Sequence, residues 1–99
     1  MAKNFDSLFR SRDGRVTLEL AGEIDGSAAA EVCYRIQMLG VRECALDFTG
    51  VEAIDVFGAC VLGRGLKSLR SRGVCFEVES LPERVAGTLC LGGVLEAIA

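Results

Sequence analysis

The sequence predicts one small α/β domain, residues 1–99, in which helices pack on a mixed β-sheet. The dipeptide Asp13-Gly14, which is typical of tight hairpin turns, separates two alternating segments, Phe5–Arg12 and residues 16–20. These two strands should pair antiparallel. Further along, segments typical of strands alternate with segments typical of helices, which favours right-handed parallel crossovers. Ninety-nine residues are enough for one hydrophobic core.

The composition excludes several classes of function. A net charge of −3 and a sequence pI near 4.9 argue against a protein that binds nucleic acid or an anionic membrane, because both need a basic face. The sequence contains no apolar run of membrane-spanning length and lacks a signal-peptide pattern at its start. We therefore expect a cytoplasmic protein with no membrane insertion.

A first helix is predicted over residues 27–39. Asp25 or Ser27 can cap it, and Gly40 should end it. Four apolar residues recur at helical spacing and should face the sheet: Ala28, Val32, Ile36 and Leu39.

The central stretch combines a strand, a turn and a helix start. Residues 43–48 should form a buried strand that ends in a turn at Thr49-Gly50, with Cys44, Leu46 and Phe48 on one face and Ala45 and Asp47 on the other. Asp55 should cap a second helix over residues 56–72, whose helix start is also a potential anion site. Its core stripe is predicted to be Ala59, Leu62, Leu66 and Leu69.

The opposite stripe of this second helix, formed by Phe57, Val61, Arg64 and Ser68, should point away from the core. An aromatic and a β-branched side chain would then face solvent. Two interpretations remain open: a neighbouring loop covers them, or they form a patch that contacts another protein.

The C-terminal third predicts a strand and a short helix. Residues 74–79 alternate apolar with charged residues, as expected for a strand near an edge with one wet face. The tetrapeptide Ser80-Leu-Pro-Glu83 resembles a capping box that starts a helix over residues 82–91, with Val85 and Leu89 inward. Gly92-Gly93 should stop it. The tail, residues 94–99, is either a further helical turn or an extended segment.

The five cysteines are widely spaced and odd in number. Their spacing does not match a zinc site or a redox dithiol, so we expect reduced, buried thiols. The alternative is a reactive thiol at Cys60, but the chain has no histidine to activate it.

Three acidic residues, Asp25, Asp47 and Asp55, are expected to cap helices and brace loops. The alternative is an acidic cluster that holds magnesium, as in receiver domains, although the adjacent acidic pair of that family is missing. A nucleotide-handling or phosphoryl-transfer protein on the same scaffold is a second alternative, and the sequence lacks a glycine-rich phosphate loop. We expect neither a cofactor nor a metal.

Two spaced motifs then carry a resemblance. Gly22-Glu-Ile-Asp25 precedes the first helix, and Leu46-Asp-Phe-Thr-Gly50 is followed by Ile54-Asp55-x-x-Gly58 before the second. In this order, from about residue 16 to residue 95, the chain resembles the STAS family, whose best-known members are bacterial anti-sigma factor antagonists. The resemblance implies a non-enzymatic domain that binds a protein partner, such as a kinase-like anti-sigma factor, in transcription regulation.

The resemblance also implies a phosphorylation switch that this chain lacks. In the family, the loop before the second helix usually carries a hydroxyl that is phosphorylated, and here Val56 occupies that position and Phe57 the next. The chain is therefore expected to bind without this control, or to be a scaffold such as the small cytoplasmic subunit of a lipid-transport ATPase. The expected contact surface comprises Asp25, Asp55, Val56, Phe57, Gly58, Val61 and Arg64.

Overall fold

A computed structural model describes residues 4–12 and 15–98 of the chain. The Asp13-Gly14 turn predicted from the sequence lies outside the described residues. Within the described residues, four strands and four helices follow one another in the order β1 Phe5–Arg12, β2 Arg15–Ile24, α1 Gly26–Leu39, β3 Glu43–Ile54, α2 Val56–Ser71, β4 Cys75–Ser80, α3 Glu83–Leu91 and α4 Val94–Ile98.

The strands form one mixed sheet in the order β1-β2-β3-β4. The first two strands pair antiparallel, whereas β2 with β3 and β3 with β4 pair in parallel. The predicted mixed sheet is therefore confirmed, and so is the position of β4 at an edge. Each parallel connection contains a helix, α1 or α2, and these two helices pack against each other on the sheet.

The hydrophobic core lies between the helices and one face of the sheet. The predicted core stripe of α2 is buried throughout, and in α1 Ala28, Val32 and Ile36 are buried as expected. The strands contribute their inward-facing residues, which share a face because neighbours in register point the same way. The largest of them are Leu18, Leu20, Leu46 and Phe48.

The central strand is longer than the sequence predicted. Thr49-Gly50 was expected to be a turn, but β3 continues to Ile54 because it stays paired with an equally extended β2, from Ala21 with Gly50 to Ile24 with Ile54. The register shifts between Gly22 and Glu23, and Gly22 adopts a φ of 90° that favours glycine. Asp55 therefore follows the strand directly.

Two expectations at helix ends were wrong. Leu39, the last residue of α1, is 46% exposed, and Val41 packs against the core just beyond it. Ser80 does not cap α3, because it remains paired in β4 with Asp47. The N-cap is Pro82, which offers no side-chain acceptor, and its carbonyl accepts from the amides of residues 85 and 86. Gly40 ends α1 with a φ of 67°, as predicted.

The exposure of two cysteines differs from expectation, whereas Ala45 lies on the face predicted for it. Cys44 is buried and Cys33 and Cys60 are half-buried, but Cys75 and Cys90 are exposed. Cys75 is exposed because it lies on the edge strand and alternates with the buried Phe76. Ala45 faces the side of the sheet without helices and is still fully buried. Its neighbours in register are Thr17 and Glu77, and an ion pair between Arg15 and Glu77 spans the same region.

Candidate functional site

The two long helices begin side by side at one edge of the sheet. Their preceding strands, β2 and β3, are parallel neighbours, so their carboxyl ends meet at the same edge. The amide of Asp55 donates to the carbonyl oxygen of Ile24 at 3.3 Å and joins the two loops. The structure thus brings together Asp25 and Asp55, which the sequence placed 30 residues apart.

Both aspartates cap their helices, as predicted. Oδ1 of Asp25 accepts from the amide of Ala28 at 2.8 Å, and Oδ1 of Asp55 accepts from the amide of Gly58 at 2.5 Å. Each carboxylate places a negative charge against the positive end of its own helix dipole. The helix starts are therefore already neutralised by the chain's own acids, which argues against a second anion there.

Gly58 is buried and holds the two helix starts together. A Cβ at this position would lie 2.6 Å from the carbonyl oxygen of Ile24, closer than side-chain carbons approach. Gly58 was expected to be part of the contact surface, but the structure gives it a positioning role instead. It lets the first turn of α2 approach the end of β2.

Val56 and Phe57 project from this corner into solvent. Their exposed fractions are 54% and 69%, among the largest of the apolar residues described. The ring of Phe57 lies across Gly26, the first residue of α1, where any Cβ would overlap it. We call Asp25, Asp55, Val56, Phe57 and Arg64 the contact patch, since all five are exposed.

The predicted stripe of α2 is only partly exposed. Arg64 and Ser68 face solvent with Phe57, as expected, but Val61 is half-buried and packs against the core. The expectation that Val61 points away from the core was wrong, because α1 lies alongside α2 at that level. Val61 is one wall of a trough of about 300 Å³ between the two helices, which we call the outer groove.

Sequence reasoning missed two exposed residues on α1. Tyr34 and Met38 are 61% and 66% exposed. They lie opposite the core stripe of Val32 and Ile36 on a helical wheel, so the same periodicity could have found them. Tyr34 lines the outer groove, so α1 adds an exposed aromatic side chain to the helix side of the domain.

Residues 4–12 and 15–98 contain no group of three or more acidic or cysteine side chains placed to hold a metal ion. Within the same residues, none of the helices is both long enough and apolar enough to cross a membrane. Asp47 accepts from the amide and hydroxyl of Thr49, at 2.9 and 2.6 Å, and so braces the strand locally.

The fold and the paired helix starts define a small α/β domain with one helix-covered sheet face and an exposed apolar corner. A family model described as "Mlab, STAS domain" matches residues 7–97, and the chain belongs to this family. The resemblance inferred from the two sequence motifs is thereby confirmed. No curated protein matches the chain in sequence.

Solved structures agree with this assignment. An anti-sigma factor antagonist from Mycobacterium paratuberculosis shares 18% identity with a TM-score of 0.75, over 95% of this chain and 82% of that one. SpoIIAA, an anti-sigma factor antagonist in its unphosphorylated form, shares 19% with a TM-score of 0.54, over 79% and 74%. At such identities the likeness establishes the fold alone.

A third similar structure is a larger protein. Mglu shares 30% identity with a TM-score of 0.64 over 78% of this chain, which spans only 20% of the length of Mglu. The shared fold therefore also occurs as a part of a much longer chain.

Proposed function

We propose that this domain is a non-enzymatic protein-binding regulatory module that docks its partner through the contact patch. The observation that carries the proposal is the exposure of Phe57, 69%, beside Val56, 54%, at a corner where two capped helices begin. Aromatic residues on rigid elements are typical anchors of protein interfaces. Burying both side chains against a partner would stabilise the complex by a few kcal/mol, at about 1.5–3 kcal/mol for a fully buried apolar side chain.

The partner would be bound without a phosphorylation switch in this loop. Val56 is exposed where the family usually has its phosphate acceptor, so the position is accessible but cannot be modified. A phosphate there would add nearly two negative charges beside Asp55. Without that charge the contact patch keeps the same chemistry at all times, which supports a constitutive binder.

The partner class that the family resemblance favours is a kinase-like anti-sigma factor, acting in bacterial transcription regulation. Two fold relatives are named as anti-sigma factor antagonists, which supports this choice. We place the protein in the cytoplasm, where such a partner acts. The five free cysteines fit a reducing compartment.

A second candidate is a scaffold subunit, such as the small STAS subunit of a lipid-transport ATPase. The missing hydroxyl at Val56 favours it, since a permanently bound subunit has no need of a phosphorylation switch. Both candidates are binding roles and use the same contact patch. Identifying the captured protein by mass spectrometry separates them.

Capture of the partner by charge-substituted variants tests the proposal. Phe57→Glu should keep the melting temperature of the wild type, because the side chain is largely solvated, yet reduce recovery of the partner at least about tenfold. The matched control is Leu8→Glu, a half-exposed apolar residue on β1 at the sheet face without helices. A protein recovered equally by wild type and Phe57→Glu, but lost with Leu8→Glu, would place the binding surface elsewhere.

A further inference from the structure

The outer groove exists because α1 and α2 approach closely at a glycine. A Cβ at Gly65 would overlap Sγ of Cys33, so only glycine allows this spacing. The two helices leave between them, on the side away from the sheet, a trough of about 300 Å³. Its walls are Ala30, Cys33, Tyr34 and Gln37 from α1 and Val61, Gly65, Ser68, Leu69 and Arg72 from α2.

The walls of the groove offer apolar contacts at helical spacing. Ala30 and Tyr34 lie one turn apart on α1, where Tyr34 is more than half exposed, and Val61 forms the facing wall. Exposed apolar side chains along a groove between two helices suit a third helix, whose own apolar residues recur every three or four positions.

All charged side chains of α2 and of the residue that follows it are positive. Residues 56–72 contain Arg64, Lys67, Arg70 and Arg72 and no acidic residue, in a chain whose net charge is −3. Arg72 lines the outer groove. Together with Arg42 it also lines a neighbouring cavity at the C-terminal ends of α1 and α2. The acidic residue of α1, Glu31, is exposed and lies in the N-terminal half of that helix. Arg72 therefore places a positive charge at the C-terminal end of the groove, with Arg42 nearby.

We propose that the outer groove binds an amphipathic helix of a protein partner, with the apolar stripe of that helix in the groove and acidic side chains facing Arg72 and the neighbouring Arg42 at the C-terminal ends of α1 and α2. The proposal rests on the proposed protein-binding function and adds the chemistry of the partner. α1 has 14 residues and is about 21 Å long at 1.5 Å per residue, so the bound helix has about three to four turns. Acidic flanks add electrostatic complementarity and speed association.

Two synthetic peptides test the charge preference without knowledge of the partner. Both are amphipathic helices of about 16 residues with the same leucine stripe, one flanked by glutamate and the other by lysine. The wild-type domain should bind the glutamate peptide at least about tenfold tighter by fluorescence anisotropy, and the difference should shrink in high salt. Amide shifts on binding should map to the groove residues of α1 and α2.

A pair of charge reversals tests the site. Arg72→Glu, which lies outside the contact patch, should abolish the preference, whereas Lys67→Glu on the same helix, which does not line the groove, should retain most of it. Melting temperatures confirm that both variants fold.

Equal, reversed or undetectable peptide binding overturns the inference, as does a preference that survives Arg72→Glu. Shifts confined to the sheet face without helices would also overturn it. A dimer in sedimentation, with amide shifts on dimerisation that map to the groove residues, would do the same because a second copy would then cover the groove. Because none of these outcomes involves Phe57, they leave the test of the contact patch independent.

Discussion

At the scale of single residues, the geometry of the contact patch depends on two glycines, where any side chain would collide with its neighbours. Gly26 leaves room for the ring of Phe57, and Gly58 lets α2 approach the end of β2. The exposed Val56 and Phe57 therefore lie in the first turn of a helix that packs closely against the end of β2. Side chains on packed backbone lose less conformational entropy on binding, which favours their use at an interface.

Val56→Ser should restore a site that a kinase-like partner can modify. The side chain is 54% exposed and directly follows the cap Asp55, so a hydroxyl there is accessible. With the cognate kinase and ATP, the variant should gain one phosphate in peptide mass spectrometry, mapped to residues 54–58. Its phosphorylated form should bind the partner more weakly, because the new charge would be buried beside Asp55.

The wild-type protein provides the control for that experiment. It should gain no phosphate under the same conditions. A phosphate on wild-type Thr49 or Ser27 that weakens partner binding would show that the switch has moved, and would contradict constitutive binding.

At the scale of elements, α3 stabilises the exposed end of the central strand. β4 ends at Ser80, opposite Asp47, but β3 continues to Ile54 and so loses its partner on that side. The guanidinium of Arg84 donates from Nε to the carbonyl oxygen of Val51 at 3.0 Å and from Nη2 to that of Thr49 at 2.9 Å. One side chain thus pairs two carbonyls of the uncovered edge.

Arg84→Ala should lower the free energy of unfolding by about 1–2 kcal/mol in urea, since two charge-assisted hydrogen bonds at a partly exposed site are lost. The matched control is Arg70→Ala, whose guanidinium makes one long bond of 3.4 Å to the carbonyl oxygen of Glu96. That variant should stay within about 0.5 kcal/mol of wild type. Equal losses in the two variants would mean that Arg84 does not support the strand edge.

Features that depend on local spacing could be predicted from the sequence. The core stripe of α2 and the caps Asp25 and Asp55 follow from helical periodicity and from the chemistry of helix starts, and both are present. Of the contact surface, the sequence correctly placed Phe57 and Arg64 on the exposed side of α2.

Features that depend on distant partners could not be predicted. Thr49-Gly50 has the composition of a turn, but pairing with β2, about 30 residues earlier, keeps it extended. Val61 lies on the polar side of an isolated helix and becomes half-buried only because α1 lies beside it. The bonds of Arg84 to β3 likewise join residues 33 and 35 positions apart.

At the scale of the whole molecule, α2 and the sheet face without helices differ in charge. Residues 56–72 carry four cations and no acid, whereas the sheet face without helices carries Glu19, Glu77 and Glu79. Part of that negative charge is paired, by Arg10 with Glu19 at 2.8 Å and by Arg15 with Glu77. The cations of α2 and these three acids therefore lie on opposite sides of the sheet, and the contact patch, which combines Asp25 and Asp55 with Arg64, lies on the helix side.

Burial of two thiols should make the stability of the molecule fall at alkaline pH. Desolvation raises the pKa of both Cys33 and Cys44 from 9.0 to about 11. The unfolded chain releases these protons near pH 9 and the folded chain only near pH 11, so the free energy of unfolding should decrease across that interval. Urea denaturation as a function of pH measures this.

Cys44→Ala provides the comparison, because it removes one buried thiol and leaves every other ionisable group of the chain in place. The variant should lose less stability than the wild type between pH 9 and pH 11. Parallel curves for the two proteins would contradict a buried neutral thiol at Cys44.

The most direct test of the central claim is site-specific photo-crosslinking inside the source cells, with a benzophenone amino acid at position 57 and, in a parallel strain, at position 8. Both positions are exposed and apolar, but Phe57 lies in the contact patch and Leu8 on the opposite side of the sheet. We expect one discrete protein adduct from position 57, formed equally whether or not phosphatase inhibitors are present, and none from position 8. An adduct from position 8 with none from position 57 would contradict the account.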